Sequence, residues 1–325
     1  MSGYEQRGPA DLMGPRGIVH QMSTCAALSR ELAEPLAATA VTATTWLLLE
    51  QAGPWGAKAL TESHLDPDIG RSLERAAKGT GVRIALIRRP GRHAGPTSVP
   101  GCHQVVLAHT LPGASWVRHG TVADPADLLD LDFPALGSGD VTGFGTERTG
   151  EPLALVCTNA RRDRCCALLG RPLAAELAAA GHGDVWEVTH LGGHRFSPTM
   201  LVLPYGYTYG RLTATTAKEV LVATAAGRMV PDWCRGRSAW ERAGQAAELA
   251  VRRVTGEDRA DVLTVGSAQA AGRLWHMPVR HSDGRVWRVE VEQSVSAPPR
   301  PESCGKTPGT PLRMDVRSVE RDHTR

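Results

Sequence analysis

Four residues of this 325-residue chain combine side-chain types that hold metals. Cys157 and Cys166 form a C-x8-C pair, and His190 and His194 form an H-x3-H pair twenty-three residues further on. Two thiolates with two imidazoles suit zinc, or a [2Fe–2S] cluster in which two His replace two Cys. A zinc finger keeps its Cys two to four residues apart and its His about twelve residues on, so these wider spacings weigh against one. A binuclear cluster is wider than one ion and accepts ligands from separate segments. Gly192 and Gly193 lie between the two His and let the backbone run close to inorganic sulfide. Arg161, Arg162 and Arg164 line the loop before Cys166, where positive charge offsets a thiolate-ligated centre. Cys165 opens another chemistry, thiol–disulfide exchange with Cys166. No C-x-x-C accompanies it, and adjacent helical side chains point ~100° apart.

Elements must bring the four residues together. The spacing predicts a strand over 153–157, an Ala- and Leu-rich helix over 164–180 and a strand over 185–189. Cys157 then ends a strand, Cys166 lies in the first turn of a helix, and His190 follows the next strand. In a strand–helix–strand unit, these strand ends and the helix start share one edge, so all four side chains can meet there. The helix N-terminus also favours a thiolate. Strands at 200–203 and 207–212 and a helix at 215–226 complete the unit.

The same order runs earlier. A helix is expected over 23–42, with Pro35 as an interruption. Strands follow at 44–49, 82–87, 105–109 and 116–119, and helices at 66–78 and 125–131. Residues 133–150 are Gly-rich and read as a linker. A helix over 239–254 and strands at 262–267, 274–280 and 286–292 come last, with an Asp283-Gly284 hairpin signal. The expected fold class is α/β: two tandem thioredoxin-like units plus a small α+β C-terminal extension. The expected divisions are a tail over 1–22, a first unit without ligands over 23–148, a ligand-bearing unit over 149–230, and an extension over 231–325.

Composition sets outer limits. Lys and Arg number 37 against 34 Asp and Glu, so the net charge of +3 gives no argument for nucleic acid. No apolar run reaches the ~18 residues of a membrane helix, and the first twenty residues lack the apolar core of a secretory signal. The expected location is the cytoplasm. Seven Cys, an odd number, do not read as a disulfide framework there. His64, His93, His103, His109, His119, His276 and His281 lack ligand spacing and read as surface or packing residues. Cys304 has no evident partner.

The run from Cys157 through Asp163 to Cys165-Cys166, the segment His190-Leu-Gly-Gly-His194-Arg-Phe, and Leu203-Pro204 with Tyr209-Gly210-Arg211 resemble the sucrase/ferredoxin-like family. Gly53-Pro54-Trp55-Gly56, Arg88-Arg89-Pro90 and Ser303-Cys304-Gly305-Lys306 extend the resemblance. It implies thioredoxin-like ferredoxins whose [2Fe–2S] cluster is held by two Cys and two His, here Cys157, Cys166, His190 and His194. Arg162, Arg164, Gly192 and Gly193 would surround it. The implied role is electron transfer rather than catalysis, with electrons from a separate reductase, because no Gly-rich dinucleotide fingerprint follows a strand. Many members carry His where this chain has Asn159. No framed carboxylate pair of the kind glycoside hydrolysis needs supports a sucrase.

Overall fold

A computed structural model describes residues 24–91, 101–140 and 143–322. The expected N-terminal tail, Ser23 and His93 lie outside the described residues. The first part of the chain contains α1 (Cys25–Glu31), β1 (Thr45–Glu50), α2 (Pro67–Ala77), β2 (Val82–Arg88), β3 (His103–His109), β4 (Trp116–Val122), a 3-10 turn (Pro125–Asp130), α3 (Phe133–Ser138) and β5 (Thr146–Glu147). The second contains β6 (Leu153–Cys157), α4 (Arg164–Ala179), β7 (Asp184–Val188), β8 (Thr199–Leu203), β9 (Tyr207–Gly210), α5 (Ala214–Ala225) and β10 (Cys234–Arg237). Last come α6 (Arg242–Thr255), β11 (Leu263–Val265), β12 (Gln269–Ala271), β13 (Leu274–His281), β14 (Val286–Val295) and β15 (Leu312–Asp322).

Strands β1 and β6 each lie between a parallel and an antiparallel neighbour, and every residue in both is buried. Burial on both faces is why Trp46-Leu47-Leu48-Leu49 and Leu153-Ala154-Leu155-Val156 are continuous apolar runs rather than alternating ones. Each fully buried Leu contributes about 1.5–3 kcal/mol of transfer free energy, so these two strands anchor their halves. Around β1 the strand order is β2-β1-β3-β4, and around β6 it is β7-β6-β8-β9. A helix joins each parallel pair, α2 in the first half and α4 in the second. The two halves therefore repeat one thioredoxin-like topology. They join edge to edge where β2 meets β7 antiparallel, pairing Ile87 with Val188 and Arg88 with Glu187, in a single ten-stranded mixed sheet. A second sheet, β11-β13-β14-β15 with β12 on β13, packs against α6 through Ala247, Val251, Val279, Trp287 and Val289. Among the described residues, no helix is long and apolar enough to cross a membrane.

Two local expectations change, and two strands form where the sequence predicts no element. The helix expected over 23–42 ends at Glu31, because Ala33 and Ala38 take left-handed backbone conformations (φ 47° and 62°) and turn the chain. The 133–150 linker contains α3, whose Phe133 and Leu136 are buried and whose end is set by Gly139 at φ 97°. Strand β10, with the sequence Cys-Arg-Gly-Arg, is fully buried beside β9. Strand β15 lies along β14 as a charged, largely exposed edge. The hairpin signal at Asp283-Gly284 does fall between β13 and β14, with Gly284 at φ 94°.

Candidate metal centre

The C-terminal ends of β6 and β7 and the N-terminus of α4 open onto one edge of the sheet. Helix α4 starts where it does because Asp163 caps it, its carboxylate accepting the Cys165 N–H at 2.8 Å. The helix then lies close over β6. A Cβ at Gly170 would come within 2.2 Å of the Cys157 carbonyl oxygen, so only glycine allows this approach. The loop between Cys157 and Asp163 is organised by Asn159. Its Oδ1 accepts the N–H groups of Arg161 and Arg162, and its Nδ2 donates to the Gly56 carbonyl in the first half. Asn159 thus has a structural task in this loop.

The edge brings all four expected ligands together. Cys157 and Cys166 are buried and lie near enough for each thiol to act on the other. Cys166 Sγ stands 3.2 Å from His194 Nδ1, and His190 lies near enough to Cys157 to act on its thiol. The rings of His190 and His194 stack with centroids 4.6 Å apart and planes 20° apart. His190 Nδ1 is buried and has no hydrogen-bond partner. A buried imidazole nitrogen left without a partner costs free energy, so an acceptor of its lone pair is what the site lacks. The donor set sorts into a sulfur pair and an imidazole pair, which suits a binuclear centre holding two ligands per iron.

Backbone and hydroxyl groups orient the sulfurs. Cys157 Sγ reaches the Thr189 carbonyl at 3.6 Å and also receives the Leu191 N–H, while the Ser197 hydroxyl donates to Cys166 Sγ at 3.8 Å. The bond from Cys166 holds the Cys157 thiol well below its ordinary value despite burial, with His190 helping. The same contact and burial push Cys166 up, so one proton is shared within the pair. Burial, with the neighbouring His190, pulls His194 down to about 4, so its imidazole is neutral and free to ligate at neutral pH.

The charges around the site differ in part from the sequence expectation. Arg162 and Arg164 are both exposed at the start of α4, and Arg162 lies near enough to act on His194. The innermost cation is Arg235 on β10, fully buried, with Nη1 donating to the Gly192 carbonyl at 3.0 Å and Nε to Thr39 Oγ1. Gly192 and Gly193 are left-handed (φ 68° and 66°), and a Cβ on Gly193 would strike the Arg235 guanidinium at 2.3 Å. Gly193 therefore seats a cation beneath the ligand loop. No sequence pattern assigns Cys-Arg-Gly-Arg an element or a role, which is why Arg235 is missed. Beside it, Arg195 pairs with Glu34, which also binds Arg300 from the C-terminal region, and all three are buried. Burial raises the Glu34 carboxyl, but the two guanidinium groups outweigh it and hold the group below the usual carboxylate range.

Cys165 points away from Cys166. It contacts Cys25 at 3.6 Å and Cys304 at 3.3 Å, so Cys165 forms no pair with Cys166, as the ~100° between adjacent helical side chains implies, and Cys304 has partners after all. Its bond with Cys25 holds the Cys165 thiol down to about 6. Of the remaining His, His109 is buried on Thr45 Oγ1 and stacked on Trp116, and His103 bonds the Glu50 carbonyl. Both are packing residues. The Trp55 of Gly-Pro-Trp-Gly donates to the Gln51 carbonyl and lies under the Arg88 guanidinium at 4.1 Å.

No curated protein and no solved structure matches the chain significantly. Residues 36–236, more than half the chain and all of the metal-site edge, match the family described as sucrase/ferredoxin-like. On that match, the chain belongs to the sucrase/ferredoxin-like family.

Proposed function

We propose that the chain is an electron-transfer protein that carries one [2Fe–2S] cluster on Cys157, Cys166, His190 and His194. The observation that carries this reading is His190 Nδ1, a buried nitrogen without a partner, set among two neighbouring thiols and a second imidazole. When bound, the cluster supplies one-electron transfer at a potential above that of four-Cys ferredoxins, since imidazole donates less charge than thiolate. The chain's own residues do the rest. Cys157 and Cys166 would bind as thiolates, and Arg235 offsets their charge from beneath the loop. Thr189, Leu191 and Ser197 fix the direction of the sulfurs. His190 and His194 would each ligate through one ring nitrogen, and the other nitrogen of the ring would hold or release a proton. Seven free cysteines suit a reducing compartment, the cytoplasm, and a separate reductase would supply the electrons.

The imidazole protons couple charge to redox state. The reduced site binds a proton more tightly, so the potential falls as pH rises through the pKa of the oxidised form. His190→Cys and His194→Cys should keep a cluster, lower its potential and flatten this pH dependence. The deciding measurement is the visible and EPR spectrum of anaerobically purified protein before and after dithionite. A red-brown protein that bleaches on reduction is expected. A colourless protein with zinc bound to these four residues would replace the reading with a structural zinc module.

A further inference from the structure

Three cysteines that the proposed cluster does not use meet on the other side of α4. Cys25 opens α1, Cys165 lies in the first turn of α4, and Cys304 belongs to a turn in the C-terminal region. Their sulfurs form a nearly equilateral triangle with edges of 3.6, 3.3 and 3.5 Å. The Asp163 carboxylate faces the triangle, with Oδ2 3.7 Å from Cys25 Sγ. All four ligand atoms lie within 4.8 Å of one another, and Cys25, Asp163 and Cys165 are buried.

We propose that Cys25, Cys165, Cys304 and Asp163 form a second metal site, a tetrahedral three-sulfur, one-oxygen site for zinc. Zinc–sulfur bonds of about 2.3 Å put the edges of a tetrahedron near ~3.8 Å, so the triangle needs only a small expansion to admit the ion. The compact set suits one ion rather than a binuclear cluster. A disulfide satisfies two sulfurs at about 2.05 Å and strands the third, which is not what three near-equal edges require. Thiols packed as small hydrophobes would also touch, but they would not gather around a carboxylate, whose burial against apolar neighbours is costly. Here the carboxylate is held in place, accepting N–H groups from Cys165 at 2.8 Å and Cys304 at 2.7 Å. Thiolates select soft ions, and zinc takes a carboxylate in the fourth position readily. Cys304 is only half-buried and leaves the ion a way in.

Binding exchanges thiol protons for the metal, with up to three protons released to solvent and no change in oxidation state. The ion would join segments far apart in sequence, Cys25 with Cys165 and Cys165 with Cys304, and fix the first turn of the helix that carries Cys166. The site does not depend on what Cys157, Cys166, His190 and His194 hold.

Zinc-edge X-ray absorption and metal analysis of the full chain, purified anaerobically with reductant, test the site. About one zinc per chain with roughly three sulfur neighbours and one oxygen is expected. Cys304→Ser and Cys25→Ser should each lower zinc content at least tenfold, while iron content and visible absorption persist. In Cys157→Ser and His194→Ala, zinc should stay and iron be lost. Should Cys25→Ser fail to fold, Cys304→Ser at the half-buried position still decides. Zinc with two sulfur and two nitrogen neighbours would place it at the other site and overturn the proposal. So would folded, fully reduced protein that takes up no zinc when zinc is supplied in slight excess, or a Cys165–Cys304 disulfide in its place.

Discussion

The two halves of the ten-stranded sheet share strand order and differ in what occupies the same edge. In the second half the ends of β6 and β7 carry Cys157 and His190, and α4 begins with Cys166. In the first half the corresponding strand ends carry Glu50-Gln51 and Arg88-Arg89, and α2 begins with Asp66-Pro67-Asp68. There, Asp66 caps its helix as Asp163 caps α4, so the scaffold is conserved in form while its chemistry is absent. The first half uses its edge as a support. Trp55 lies under Arg88, Arg88 forms a buried two-nitrogen ion pair with Glu187 of β7, Thr158 donates to the same Glu187 oxygen, and Asn159 reaches back to Gly56. One copy of the topology offers ligands, and the other holds the ligand loop still.

This division of labour can be broken in graded ways. The largest effect should come from Cys157→Ser or Cys166→Ser, which should abolish bound iron and visible absorption. Gln51→Ala at the matching edge of the first half should leave both unchanged, as read by iron analysis and absorbance. Next, Glu187→Gln leaves the buried Arg88 without its counter-charge and should cost about 3–5 kcal/mol in denaturant unfolding. If it costs nothing, the seam is not a support. On the ligand side, Glu34 clamps Arg195 and Arg300. Its folded-state pKa is depressed, so its contribution is present above the unfolded carboxylate value and is lost as pH falls through the folded one. Glu34→Gln should lower stability at neutral pH and lose less on acidification below about pH 4 than the parent chain does, measured by unfolding at stepped pH. The smallest effect belongs to Trp55→Phe. It loses one hydrogen bond and weakens a cation–π contact, about 1 kcal/mol, with the visible spectrum unchanged.

Much of the ligand side was legible because its rules are local. Spacing placed Cys157 and His190 at strand ends and Cys166 at a helix start, and the geometry of a strand–helix–strand unit did the rest. The seam was less legible. Arg88 and Glu187 carry no sequence signal that pairs them, and only the β2–β7 seam brings them together. Arg235 and Arg237 sit in a short strand without an apolar pattern, yet their guanidinium groups are buried and bonded to Gly192, Thr39, Thr110 and Ala260. The Cys25–Cys165–Cys304 triangle escaped for a different reason. Its members lie as far as 279 positions apart, and no periodicity spans such a distance. Strand β15 escaped because an exposed edge strand needs charge to discourage association, which makes it look like a tail.

Consecutive positions on α4 send one sulfur to each side, and a single carboxylate sets their phase. Were the helix to begin one residue earlier or later, each thiol would swing by about 100° and leave both clusters together. Asp163 prevents this from two directions, through the Cys165 N–H at the start of its own helix and through the Cys304 N–H from the far end of the chain. The last quarter of the sequence therefore helps index the helix. A cut ahead of Ser303 would be felt first as play in the rotation of α4, with Cys166 losing its aim before any strand of the sheet is disturbed.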